Sequence, residues 1–491
     1  MDRTDLDAFD RADAALRSRG PGRMLPDLAR IRRLAELLGD PQLTYPTVHV
    51  TGTNGKGSVV RMVGALCAAA GLSAGTYTSP HLQSVRERLS LSGRPIAPGV
   101  FAGLVDELTP FLDLVDREAA ADHPEDRVTY FEVLTAMAYA WFADVPVDVG
   151  VFEVGMGGRW DATNLVRGDV AVLNEIDVDH PELGTTPEQI AHEKVGIIKP
   201  GAVVVTAAQP SEVDAVIAAA VAEADAEWWR VGDQIELLER RVAVGGQQLA
   251  LRVGERIVDD ILLPLHGEHQ ARNAALALGA FAALTGEAFA AMDVEVVRHG
   301  LGAVSVPGRL EVVHRHPTVV LDGAHNPHGA RAAADALDEA FGFRELVLVA
   351  ACLDDKDVTG ILRELRPVAS HVVVTRAPSP RSASLERMQA AATEVWEATG
   401  TAVEAADDLD AALGLARSVT GPGDGLLVVG SLLTVGAARD RFLPLPDEDD
   451  DEVVRTPDDE ESDEHDPLDL LGDAGTDVDP SHDLWSDPDD D

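Results

Sequence analysis

"HVTGTNGKGSVVRMV", His49 to Val63, joins a short apolar strand pattern to a helical pattern through a glycine-rich loop. Gly52, Gly55 and Gly57 permit positive φ and a close backbone approach. Such a loop aims backbone N–H groups and the start of a helix at an anion. Thr53, Asn54 and Gly55 form the cradle, and Lys56 adds a mobile positive charge for phosphate oxygens. The Ser58 hydroxyl suits a Mg²⁺ ion. The spacing departs from the usual phosphate loop, G-x-x-x-x-G-K-S/T, because Gly57 separates Lys56 from Ser58. The alternative is a glycine-rich strand–helix turn that binds nothing.

The strand ahead of this loop is one of a set. "PTVHVTG" (46–52), "VDVGVFEVG" (147–155), "DVAVLNEI" (169–176) and "AVVVTA" (202–207) are short, β-branched and bounded by glycine or polar residues, as buried strands are. Helical patterns such as 58–71 and 131–143 lie between them. Alternating strands and helices imply an α/β fold with a mostly parallel sheet covered on both faces. A second set, 318–323, 345–352, 371–375 and 425–431, marks a smaller α/β unit over about 304–443, with a hinge near Ser305 to Pro307. The sites of open α/β sheets lie beyond the carboxyl ends of their strands, which is where the polar residues cluster.

The chain has 491 residues, 45% of them hydrophobic, enough for two or three domains with large cores. Its two cysteines, Cys67 and Cys352, lie far apart in apolar surroundings, which points to buried thiols in a reducing cytoplasm. The N-terminus is charged throughout and no apolar run reaches the length of about 18 residues that a membrane span needs. The formal net charge is -45. Nearly half comes from Pro444 to Asp491, where Arg455 is the only basic residue besides histidine. This segment, 444–491, is expected to be disordered, serving either as an acidic interaction tail or as a solubilising one. The overall acidity argues against nucleic acid as a partner.

Several stretches together resemble the ATP-dependent Mur-type ligases and, within them, the folate branch of folylpolyglutamate and dihydrofolate synthases. They are "GTNGKGS" (52–58), "TYTSPHL" (76–82), "YFEVLTAMAYAWF" (130–142), "FEVGMGGRWDATN" (152–164), "AHEKVGIIKP" (191–200), "LHGEHQARNAALA" (265–277), "PGRLE" (307–311) and "LDGAHNP" (321–327). The resemblance runs from about residue 45 to 436. It implies a Mur-ligase-like fold, with an ATP- and folate-binding phosphate-loop domain (1–303) and a Rossmann-like glutamate-ligase domain (304–443).

The residues carry chemical readings alongside that resemblance. Glu153 ends a buried strand, where a carboxylate is costly unless paired or metal-bound. Ser79, Glu153 and His180 come from loops at strand ends, and the resemblance makes them metal ligands with Ser58. It also implies that Lys194, read as mid-helix, is carbamylated by CO₂ and holds a second metal, which needs a neutral, buried amine. The alternative is a surface lysine paired with Glu193 or with a helix C-terminus. Asn273 can bond an adenine edge, Arg309 can fork onto phosphates, and Asp322 can accept from a ribose; the resemblance assigns all three to ATP. It assigns His325 to organising glutamate and the acyl-phosphate step, and Ser431 to the amino acid. Thr129, Tyr130, Phe131, Glu132, Trp160, Asp161 and Ala162 fall on the folate side. Trp160 either stacks near a pterin or covers the core. The resemblance matches the stretch "LPDLARI" (25–31) to the pterin-side N-terminal segment. One departure is "DVDHPELG" (177–184), where Pro181 stiffens the exit from His180.

The implied reaction is the attack of a substrate carboxylate on the γ-phosphorus of ATP, then displacement of phosphate by the amine of L-glutamate. The resemblance makes the substrates dihydropteroate or reduced folates, and a cytoplasmic monomer is expected. Two rivals stand beside it: another Mur-type ligase acting on a cell-wall precursor, and a nucleotide-binding regulator without ligase activity.

Overall fold

The computed structural model describes residues 3–20, 26–120, 126–178, 182–398 and 400–444. His180, Pro181, Leu25 and, apart from Pro444, the acidic tail lie outside them.

The first sheet has eight strands: β1 (Thr47–Thr51), β2 (Ala74–Tyr77), β3 (Leu89–Leu91), β4 (Arg94–Pro95), β5 (Val149–Glu153), β6 (Val170–Leu173), β7 (Val203–Thr206) and β8 (Glu227–Arg230). Their order is β4-β3-β2-β5-β1-β6-β7-β8. The strands from β2 to β8 in that order are parallel, and β3 and β4 add an antiparallel edge. β1 is buried along its whole length between β5 and β6, so three strand ends meet where the glycine-rich loop begins. The sheet covers both faces with apolar side chains. On one, Val59, Val60, Val63 and Leu66 of the helix Lys56–Ala69 pack against Ala274, Leu278 and Phe281 of the helix Glu268–Thr285. On the other, Val133, Met137 and Phe142 of the helix Tyr130–Asp144 pack with Phe152 and with Phe101 of the helix Pro98–Ala120. Each such Val, Leu, Met or Phe side chain contributes about 1.5–3 kcal/mol when fully buried.

A second, antiparallel sheet, β9 (Ile235–Ala243), β10 (Gly246–Val253) and β11 (Arg256–Leu263), has the order β11-β10-β9. No Val-rich run marks it in the sequence. Its strands are half-buried, so they show alternation rather than Val-rich runs; β10 buries Leu249, Leu251 and Val253 between partly exposed residues. The third sheet holds β12 (Glu311–Arg315), β13 (Thr318–Asp322), β14 (Leu346–Ala350), β15 (His371–Val374), β16 (Ala402–Ala405) and β17 (Gly425–Val429), ordered β12-β13-β17-β14-β15-β16. All pair in parallel except the edge strand β12.

The loop after β2 joins this third sheet to the first. Gln83 Nε2 donates to Asp440 Oδ1 at 2.6 Å, and Leu82 packs into a notch at Gly436, whose backbone has no room for a Cβ against the Leu82 carbonyl.

The helix Tyr130–Asp144 begins with a capping box. Thr129 Oγ1 accepts from Glu132 N, and the Glu132 carboxylate accepts from Thr129 N. Glu132 also receives Arg30 Nε at 3.2 Å, with both residues buried. Removing one partner of a buried ion pair leaves an uncompensated charge and costs about 3–5 kcal/mol. Arg30→Met should therefore lower the unfolding free energy by about that amount, measured by urea denaturation; an unchanged midpoint would show that the pair contributes nothing to stability.

Candidate active site

Gly55 caps the helix Lys56–Ala69 at φ 77°, a left-handed conformation that favours glycine. A Cβ there would lie 2.5 Å from Asn174 Nδ2 and 2.7 Å from Asn273 Oδ1. These buried amides form a shelf under the loop. Asn174 Nδ2 donates to the Asn54 carbonyl at 3.1 Å and to Asn273 Oδ1 at 2.8 Å, and Asn273 Nδ2 donates to Gln270 Oε1 at 3.1 Å. The Thr53 hydroxyl donates to the Asp177 carbonyl at 2.7 Å. Lys56 Nζ bonds the carbonyls of Gly52 and Thr53, both at 3.1 Å.

Lys194 Nζ reaches the same Gly52 carbonyl at 2.8 Å. It is 4% exposed, so it is no surface lysine. Nor is it mid-helix: it ends the helix Pro187–Lys194, and a 3-10 turn follows. The turn brings Gly196 against Arg159, at a spacing where a Cβ would meet Arg159 Cβ at 2.5 Å. Gly52, Thr53, Lys56, Gly155, Gly157 and Lys194 line one small cavity.

Glu153 ends β5 and is buried. The parallel register sets it beside Val50 of β1, next to the loop. A Cβ on Gly57 would stand 3.3 Å from Glu153 Oε2, so the added glycine makes room for this carboxylate at the helix start. Oε2 also accepts the Ser79 backbone N–H at 2.9 Å. Burial pushes the Glu153 carboxyl above its usual range, opposed by Lys56, that N–H, Arg309 and Arg61. Ser58 is buried and Ser79 half-buried. Of the expected metal set the structure thus brings Glu153 and Ser79 together, while His180 lies outside the described residues. Among those residues no three His, Cys, Asp or Glu side chains form a metal-holding group.

The second unit faces this loop through strand ends of its own. Asp322 ends β13 with both carboxylate oxygens engaged: Oδ2 accepts from Leu310 N at 2.9 Å and Oδ1 from Ala324 N at 2.8 Å. Burial raises its pKa, and the neighbouring Arg309 guanidinium opposes the rise. His325 Nδ1 contacts the Gly323 carbonyl at 2.9 Å; a carbonyl only accepts, so the proton is on Nδ1. Asn326 Nδ2 donates to Asn54 Oδ1 at 3.0 Å, a direct bond between the "LDGAHNP" loop and the phosphate loop. Ser431 caps the helix Leu432–Phe442 by accepting from Leu433 N.

The residues expected on the folate side are partly committed to the fold. Thr129 and Glu132 make the capping box. Phe131 packs against Gly155, and the Arg88 guanidinium lies 5.6 Å from the Tyr130 ring centre. Asp161 is buried; Oδ1 accepts from Thr163 N at 3.0 Å and Oδ2 from Met156 N at 3.0 Å. The Ala162 carbonyl accepts from Tyr139. Trp160 is 46% exposed, which leaves it at the surface rather than over the core. Asn174 was missed by the sequence reading: it follows β6 directly and reads as part of an apolar strand.

Over 441 residues the chain is 45% identical to the dihydrofolate synthase/folylpolyglutamate synthase of Mycobacterium tuberculosis, covering 86% of this chain and 91% of that one. The chain belongs to the dihydrofolate synthase/folylpolyglutamate synthase family. Its residues 102–281 match the Mur ligase middle domain and 308–432 the Mur ligase, glutamate ligase domain. It is similar in structure to the M. tuberculosis folylpolyglutamate synthase complexed with ADP, with a TM-score of 0.83 at 43% identity, covering 89% of this chain and 99% of that one. An FPGS–AMPPCP–folate complex matches with a TM-score of 0.77 at 30% identity, covering 89% of this chain and 99% of that chain. The phosphate loop of this family member thus sits in the fold that those nucleotide complexes share.

Two variants test the Glu153 arrangement. Gly57→Ala should leave the melting temperature nearly unchanged yet lower kcat, because the added Cβ at 3.3 Å makes the carboxylate shift; parent-like kcat would show that the glycine serves no catalytic geometry. The Glu153 folded-state pKa lies above the unfolded one, so its stabilising contribution is present at low pH and lost as pH rises through the folded value. Glu153→Gln cannot ionise. In chelator it should melt above the parent at neutral pH, and the gap should close as pH falls into the carboxylate range. An equal gap at about pH 4 and pH 7 would contradict this.

Proposed function

We propose that this chain is an ATP-dependent ligase that joins L-glutamate to dihydropteroate or a reduced folate, with both the first glutamylation and chain extension within its range. The observation that carries the reading is the hydrogen bond of Asn54 to Asn326, which brings the His325 loop onto the loop that cradles phosphate. The 45% identity to a dihydrofolate synthase/folylpolyglutamate synthase supports the substrate class. In this reading residues 1–303 bind ATP and folate, 304–443 form the glutamate-ligase domain, and the acidic stretch from 444 is disordered.

ATP phosphates bind over Thr53 to Ser58, with Lys56 stabilising the charge that develops on the γ-phosphoryl group. The folate carboxylate attacks the γ-phosphorus, ADP leaves, and the glutamate amine displaces phosphate from the acyl phosphate. Arg309 and Asp322 hold the nucleotide from the second domain, Asn273 meets it from beneath the loop, and His325 orients the glutamate end with Ser431. Closure of the domains keeps water from the acyl phosphate. Tyr130, Phe131, Trp160, Asp161 and Ala162, braced by Thr129 and Glu132, form the folate side.

The buried Glu153 carboxyl, with Ser58 and Ser79, suits a hard cation with oxygen ligands, and His180 completes that set in this reading. Mg²⁺ there would neutralise phosphate charge. A carbamylated Lys194 would supply oxygen ligands for a second ion, and the burial of its amine supports this. The net charge of -45 favours small-molecule partners over nucleic acid. Among the described residues no helix is long and apolar enough to cross a membrane, and we assign the protein to the cytoplasm as a monomer.

The test is ADP release with Mg·ATP and L-glutamate in the presence of dihydropteroate, tetrahydrofolate or no pterin, with products weighed by mass spectrometry. Both pterins are expected to gain glutamate. ADP formation that depends on neither pterin would sink the folate assignment.

A further inference from the structure

Arg61 lies on the phosphate-loop helix, in the turn after Lys56. Gly57, Arg61 and Gly64 are spaced i, i+4 and i+7 and share one helix face. The two glycines locate that face. Gly57 stands against Glu153, and a Cβ on Gly64 would lie 2.7 Å from Thr76 Cγ2 on β2. Arg61 therefore projects between the carboxyl ends of β5 and β2, under the Ser79–Ser84 loop that docks on the second domain.

Its guanidinium is half-buried and makes no hydrogen bond or ion pair within 4.0 Å among the described residues. The carboxylates that bear on it, Glu87 and Glu153, are engaged elsewhere. Glu87 takes the backbone N–H groups of Leu82, Gln83 and Ser84 at 2.8, 2.9 and 2.8 Å, and Glu153 takes that of Ser79. Burial lowers the Arg61 pKa, and the like charges of Arg309 and Arg439 add to the effect. Arg439 is neutralised by Glu311. Arg309 makes no side-chain hydrogen bond among the described residues; its guanidinium crosses the Gly323 backbone at the strand end of the second domain. Gly308, beside Arg309, stands against that same Ser79–Ser84 loop, where a Cβ on it would meet Leu82 Cδ2 at 3.3 Å; two guanidinium groups, one from each domain, thus flank one loop with their side-chain donors unmatched among the described residues. Such a pair is unfavourable until an anion joins it, and its planar forks fit a carboxylate or a phosphoryl group.

We propose that Arg61 is a substrate-binding residue that, with Arg309, clamps an oxyanion across the domain cleft. The inference rests on the ligase reading, which supplies two anions of that chemistry: a carboxylate of the incoming glutamate and the phosphoryl group in transfer.

Calorimetry of the parent, Arg61→Gln and Arg61→Lys, each saturated with Mg·ADP and titrated with L-glutamate or with inorganic phosphate, separates the two. The parent is expected to bind at least one of them, with Arg61→Gln at least tenfold weaker for it and Arg61→Lys intermediate. Weakened glutamate binding identifies the carboxylate, and weakened phosphate binding the phosphoryl group. In turnover the same substitution should raise the KM for glutamate in the first case, or lower kcat with all KM values unchanged in the second. Parent-like affinity in Arg61→Gln overturns the clamp. So does a parent that binds neither anion, or a loss that tracks a fall in melting temperature and is not recovered in Arg61→Lys. A parent that yields no glutamylated product overturns the ligase reading instead, and the binding arm still decides the clamp.

Discussion

A carboxylate buried at the start of a helix is the constraint around which this molecule is arranged. Glu153 has to leave water, stay close to Lys56, and sit where the phosphate-loop helix begins. Burial disfavours its ionised form, so the surroundings are built to oppose that. β5 lies beside β1 in parallel register, which delivers the carboxylate to the loop. Gly57 clears its path, and the Ser79 amide meets one oxygen. Glu153, Ser79 and the Lys56–Gly57 pair lie far apart in sequence, and the order of the sheet brings them together.

The loop itself is held from below by amides rather than by charges. Asn174 and Asn273 fill the space a side chain at position 55 would need, and they brace the Asn54 carbonyl. Neutral donors and acceptors support the loop without adding a fixed charge beneath it. The positive charge at the loop comes from lysines, Lys56 on the carbonyls of Gly52 and Thr53 and Lys194 on that of Gly52.

Much of this was legible in the sequence because its causes are local. Val-rich buried strands, strand-end glycines and the lysine of the loop all carry signals within a few residues. What escaped depends on contacts across the chain. Asn174 reads as part of an apolar strand, and only the placement of β6 beside β1 puts it beneath Gly55. The purpose of Gly57 is invisible until β5 brings Glu153 to it. Thr129 and Glu132 show the opposite case. Their T-x-x-E spacing is a local helix-start pattern, and the structure uses both side chains for that, with Arg30 joining them. The β9–β11 sheet escaped because half-buried strands alternate, and a reading tuned to continuous apolar runs passes over them.

Ser79 and Leu82 stand three residues apart on one loop, and they face different tasks. Ser79 holds the Glu153 carboxylate through its backbone N–H; Leu82 is seated in the Gly436 notch of the other domain. Three residues of backbone thus tie the hold on the Glu153 carboxylate to a seat on the other half of the chain, so a substitution that unseats Leu82 would bear on the carboxylate without touching it.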